Sequence, residues 1–219
     1  MAPPVQFLQR AYAPLLAAMG ARVDFHLERY GFYPAGGGTV VAQVTPCDAL
    51  KPITLLERGA RRAGFAEAFS AGIPHSVGQR ELEWIGSKMG WDEAQLIPTV
   101  LPGEQGPGNA VLITLEHEHV TGVFAGFGAK MVRAEAVAGQ ALKEARDYIG
   151  SGAAVGEHLT DQMMLPLALA GAGSFTASVV SRHALTNAEV IARFLPVEIV
   201  FAPEERRNIC VVRSTCAAV

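Results

Sequence analysis

Hydrophobic positions along the chain change their spacing several times, and each change marks an element. Val5, Leu8, Tyr12, Leu15, Leu16 and Met19 recur at helical spacing, which predicts a helix stopping near Gly20. Pro14 lies inside that run and predicts a kink or a nearby end. Val23, Phe25 and Leu27 then alternate with Asp24, His26 and Glu28, and Val40, Ala42 and Val44 alternate again. The pair predicts a hairpin around Gly31–Gly38. Pro46 to Pro52 breaks the pattern, and Ile53–Leu56 reads as a further strand.

From Ala60 to Phe127 the texture differs. Ser76 is placed to cap a helix carrying Val77, Leu82, Ile85 and Met89. Leu96–Leu101, Val111–Leu115 and His119–Phe124 read as strands, with a loop over residues 102–109. The clearest amphipathic helix carries Ala134, Val137, Ala138, Ala141, Leu142, Ala145, Tyr148 and Ile149. A second helix is predicted from Glu157 to Ala170, then a strand over Phe175–Val180. Thr186-Asn187-Ala188-Glu189 has capping-box spacing before Val190, Ile191, Phe194 and Leu195. Val197–Phe201 and Ile209–Val212 close the chain as a hairpin. Interleaved short strands and helices predict an α/β fold, with α+β layers and no solenoid repeat.

Composition narrows the class. Half of the 219 residues are hydrophobic and 18% are charged, so a sizeable core is expected. The net charge is −3, which excludes nucleic-acid binding by bulk charge and leaves a local contact with a strand end. Cys47, Cys210 and Cys216 fit no zinc spacing and no disulfide framework, so a reducing, cytoplasmic setting is expected. No apolar run predicts a membrane span, and the first residues do not read as a signal peptide.

Several groups are candidates for chemistry. Gly36-Gly37-Gly38 is either a hairpin turn or a loop whose amides approach a ligand; without a following Lys-Ser/Thr it is not a P-loop. His183 stands between a strand and a capped helix, as a structural imidazole or as a nucleophile toward phosphorus. His158, Asp161 and Gln162 share one face at a helix start, as ordinary capping or as an anion and base site. His117 and His119 alternate along an expected strand, more in keeping with a solvated edge than with metal. Arg61-Arg62 and Arg206-Arg207 read as solvated turn charges.

In combination these segments resemble the RNA 3′-terminal phosphate cyclase family. The resemblance is carried by residues 29–38 (Arg-Tyr-Gly-Phe-Tyr-Pro-Ala-Gly-Gly-Gly) and by Pro107-Gly108-Asn109-Ala110. Phe127-Gly128-Ala129-Lys130 with Ala134-Glu135, residues 155–162, Leu165–Gly171 and residues 183–187 follow in order. It covers nearly the whole chain and implies βαβαββ units like the C-terminal domain of translation initiation factor 3, with a small α/β domain inserted. Residues 1–59 and 135–219 would then form the large domain, and 60–134, reaching as far as 150, the insertion.

The resemblance also implies a reaction. A histidine attacks the α-phosphorus of ATP, AMP passes to an RNA 3′-phosphate, and the 2′-hydroxyl closes a cyclic phosphate. Carried over by motif, His183 is the nucleophile. Pro3, Phe7, His158, Leu159, Thr160, Asp161 and Gln162 form the adenylate pocket, with Pro3 packed on the adenine. The family commonly has tyrosine where His158 stands. Family members carry a further segment before Met1. It supplies groups for the triphosphate, the RNA end and a divalent metal (Mg or Mn), so no metal ligand is expected here. Without that segment, exposed sheet edges predict self-association, and the alternative function is nucleotide or RNA binding without catalysis.

Overall fold

The computed structural model describes residues 2–216. Its first element is one long helix with a change of pitch. Helix α1 (Val5–Phe7) passes into a π segment (Leu8–Tyr12) and then into α2 (Ala13–Ala18). Pro14 lies in the first turn of α2, where its missing N–H and bulky ring would disturb a regular ladder. The wider turn before it, in which the Ala13 N–H reaches Leu8 O, makes room for that ring. The expected kink is thus absorbed as a π turn.

Strands β1 (Arg22–Arg29) and β2 (Thr39–Thr45) form the expected antiparallel hairpin, Arg22 facing Thr45 and Arg29 facing Thr39. Every residue of β2 is exposed. Between the strands the chain folds back tightly. A Cβ at Gly31 would lie 2.3 Å from the Gly38 nitrogen, and Gly36 and Gly37 have φ of 70° and 84°. Only glycine satisfies both demands at low cost.

After β3 (Thr54–Leu55) the chain enters a separate four-stranded sheet of order β5-β4-β6-β7. Its members are β4 (Arg61–Ala71), β5 (Leu96–Leu101), β6 (Gly108–His117) and β7 (Thr121–Phe127). Helices α3 (His75–Met89) and α4 (Ala134–Ser151) pack on it. Ile85, Ile113, Leu115, Val137, Ala141 and Tyr148 share one buried cluster, so α4 belongs to the same core as the sheet. Three expectations are corrected here. Arg61-Arg62 begin the strand β4 rather than a turn. Pro74, not Ser76, stands at the start of α3. His117 ends β6 while His119 lies in the turn beyond, so the two do not alternate along one strand.

The chain then returns through α5 (Glu157–Leu169), β8 (Ala172–Ala177), α6 (Arg182–Phe194), β9 (Val197–Glu204) and β10 (Arg207–Ser214). With β3 these follow the order β-α-β-α-β-β, and the sheet order is β3-β8-β10-β9. Phe7, Ala11, Leu15 and Met19 join Leu159, Met163, Leu167 and Phe175 in the second core, so the first helix packs into this layer. Helix α6 starts earlier than its capping-box spacing implies. Ser181 is the cap, accepting from the Ala184 N–H at 3.2 Å, and Thr186 to Glu189 lie within the helix.

Candidate active site

A cavity of about 220 Å³ lies where this layer meets the inserted sheet. Phe7 reaches it from α1, and His158 and Leu159 from the first turn of α5. The two rings meet edge to face, 6.4 Å between centroids and 84° between planes. A flat ring entering the cavity would meet both of these rings. Gly156 precedes α5, so the free N–H groups of its first turn point the same way.

The other expected contacts divide. Pro3 is half-buried just ahead of α1. Leu159 lines the cavity while most of its surface is in the core. Thr160 is fully buried, and its hydroxyl donates to Gly156 O at 2.9 Å. That bond occupies the hydroxyl within the helix, so Thr160 supports the turn rather than facing the cavity. Asp161 is half-buried and points toward α6. Both its backbone oxygen and its Oδ1 accept from the Asn187 amide, at 3.1 and 3.0 Å. Gln162 is half-buried beside it.

His183 is exposed in the first turn of α6, at the positive end of that helix. Asn187 lies one turn further along on the same face. The Asn187–Asp161 bonds therefore lock the helix bearing His183 to the helix bearing His158. Ser178 and Val179, on the approach to α6, line the cavity too.

Sequence reasoning missed the far wall. Thr121 to Phe124 of β7 and Lys143, Glu144 and Asp147 of α4 close the cavity from the inserted sheet. Lys143 and Asp147 pair at 2.6 Å along α4. Burial raises the Glu144 carboxyl, against the lowering effect of His158. No local pattern marks these residues, because they face the cavity only through the packing of two layers. Two buried groups elsewhere also escaped notice. Glu81 of α3 is fully buried, and burial pushes its carboxyl up to about 7 against a hydrogen bond from Asn109. Arg10 of the first helix reaches Glu67 and Thr114 on the inserted sheet, the latter at 3.0 Å. Cys210 is buried in the body, its thiol pushed up to about 12, which removes it as a nucleophile.

The fold and this cavity define an α/β protein with a slot between two layers and an exposed histidine on a helix tied to one wall of that slot. The comparisons with known proteins give the family. The family model for RNA 3′-terminal phosphate cyclase matches residues 1–201. Similar proteins named RNA 3′-terminal phosphate cyclase include one from Pseudomonas fluorescens, 48% identical over 203 residues, 93% of this chain and 59% of the relative. Another, from Salmonella agona, is 47% identical over 94% of this chain and 59% of the relative. One from Pseudomonas aeruginosa is 47% identical over 91% of this chain and 58% of the relative. The chain belongs to the RNA 3′-terminal phosphate cyclase family. It spans just under three fifths of the length of these relatives.

Proposed function

We propose that this chain carries the adenylylation half of an ATP-dependent cyclase acting on RNA 3′-phosphate ends. The observation that supports it most is the Asn187–Asp161 link, which ties the helix of His183 to the wall of the cavity lined by Phe7 and His158. In this reading adenine stacks on His158, with Pro3 and Phe7 beside it, and Asp161 and Gln162 meet the ribose. A neutral His183 nitrogen attacks the α-phosphorus, the bond to the β-bridging oxygen breaks, and pyrophosphate leaves. The RNA 3′-phosphate oxygen then displaces the histidine and takes the AMP. The 2′-hydroxyl attacks the 3′-phosphorus, loses its proton, and expels AMP to leave the cyclic phosphate. Holding that hydroxyl beside the activated phosphorus makes the last step intramolecular.

A divalent ion with the triphosphate is part of the family reaction. Among the described residues no cluster of three His, Cys, Asp or Glu side chains is placed to hold one, so no step here runs through a metal. We read the insertion as running from Arg61 to Ser151, the full extent of the core that α4 shares, and the remainder as the repeat domain with its likeness to initiation factor 3. No described helix is long and apolar enough to cross a membrane. The three free cysteines are in keeping with a cytoplasmic setting.

The test is incubation with α-labelled ATP and Mg²⁺. Acid-labile label on the wild type, lost in His183→Ala, is the expected result. No label on folded protein would sink independent activity. ATP binding by calorimetry without label would favour the binding-only reading.

A further inference from the structure

A second cavity, of about 300 Å³, opens one helical turn from the first. Pro4 and Gln6 line it, Phe7 lines the first, and the Phe7 N–H donates to Pro4 O at 3.0 Å between them. Three segments that carry the family resemblance, and that adenylylation leaves unused, converge here. They are the glycine-loop residues from Tyr30 to Tyr33, the segment around Asn109, and residues 127–129. One comes from the hairpin and two from the inserted sheet.

The cavity is built by specific contacts. The Arg29 guanidinium donates to Glu104 O at 2.9 Å, and the Tyr30 N–H donates to the Gln105 side-chain oxygen at 3.0 Å. The Phe32 ring fills the space over Gly108, where a Cβ would come within 2.3 Å of it. A Cβ at Gly128 would strike the Asn109 side chain at 1.8 Å. These contacts fix the loop against the inserted sheet and leave the space between them open.

The lining has one chemistry. Tyr30, Phe32, Phe69 and Phe127 supply aromatic rings, and Tyr30 and Phe69 lie 5.4 Å apart at 30°. The polar groups within are the Tyr30 and Tyr33 hydroxyls and two amides: Gln6, which is buried and donates to the Tyr30 hydroxyl at 3.2 Å, and Asn109, which donates to Glu81. Among the described residues no charged side chain lines it. Lys130 follows directly at the rim, exposed, and in no ion pair among the described residues. Rings to stack on, amide oxygens to accept from a polar edge and a cation for the backbone together suit an unpaired nucleobase. A charged metabolite would find no counter-charge inside.

We infer that this cavity seats the terminal base of the RNA 3′ end, placing its phosphate toward the neighbouring adenylate site. The inference rests on the cyclase reading for its substrate and on the cavity for its location. A chain of net charge −3 gains little from bulk attraction to RNA, so stacking carries the affinity.

The test uses a six-nucleotide RNA with a 3′-phosphate and 2-aminopurine as its last base. Binding is expected to quench the fluorophore, and an abasic end is expected to bind about ten-fold more weakly. Phe127→Ala is expected to lose the quench and to cancel the preference for an intact end. Tyr33→Ala, at a position 84% exposed and so safe for folding, is expected to weaken both in part. Thermal melting checks that each variant is folded. Equal affinity for intact and abasic ends, a quench untouched by both variants, or no RNA binding would overturn the inference. Labelling of the wild type by α-labelled ATP needs no RNA, so its failure alongside a persisting quench would sink the cyclase reading and leave the base site standing.

Discussion

The inserted sheet and the β1–β2 hairpin are both β structure, yet they are stabilised in opposite ways. In β6 the six residues from Ala110 to Leu115 are all buried, because the strand is central, with α3 and α4 over one face and the first helix against the other. In β2 none is buried, and Val44 is 63% exposed. Both ladders run along their strands with a single register shift, at Leu27/Arg29 in the hairpin and at Arg61/Ala63 in the sheet, so the ladder alone does not decide stability. Burial does, and the contrast separates a unit that completes its own core from one that does not.

The sharpest way to break this comparison is to hollow the inserted core. Tyr148 is buried, donates from its hydroxyl to Ala154 O at 3.0 Å, and lies under the Arg58 guanidinium. Tyr148→Ala should cost about 3–5 kcal/mol in denaturant unfolding. A loss below about 1 kcal/mol would mean the unit does not depend on this core.

The next effect is a pH dependence confined to the inserted unit. The Glu81 carboxyl is raised to about 7 in the fold, above its unfolded value. The unfolded chain therefore releases that proton first as pH rises, and stability falls between about pH 4.5 and pH 7 by about 3 kcal/mol. Glu81→Gln should flatten that fall, as followed by thermal melting across pH. An unchanged slope would contradict the buried carboxyl.

Smaller still is the bridge between the units. Arg10→Met removes the ion pair to Glu67 and the bond to Thr114, and should cost about 1–2 kcal/mol. Calorimetry should then separate the melting of the inserted unit from that of the body. At the bottom of the scale, Val44→Ala in β2 should change stability by less than about 0.5 kcal/mol. A larger loss would show that β2 is covered in solution.

Much of the fold could be read from spacing, and the failures have physical causes. Helices α3, α4 and α5 and the closing strands follow periodicities that burial enforces, while the hairpin keeps its alternation with none of β1 or β2 buried. Strand β4 was missed because its inward positions are Ala66 and Ala68, whose small side chains give no alternation of hydrophobicity. The start of α6 was misplaced because Ser181 and Thr186 are both competent caps, and only Ser181 meets a free N–H. For the site, local motifs could indicate Phe7, His158 and His183. They could not indicate Lys143 or Glu144, which border the cavity only because α4 swings back beside α5. The glycine loop was legible as a signature, but its anchors Glu104 and Gln105 lie 75 residues away.

The necks of the inserted unit carry one further consequence. The Thr176 hydroxyl donates to Leu56 O and accepts from the Ala154 N–H, both at 2.8 Å, so one side chain clasps the entering and the leaving segment. Arg58 donates to the carbonyls of Tyr148 and Ile149 at the end of α4, and Arg207 reaches Leu56 and Gly152. The insertion is thus grafted on a single stem whose clasp belongs to the host and the graft alike. A load on either side of such a stem is carried by the same few hydrogen bonds.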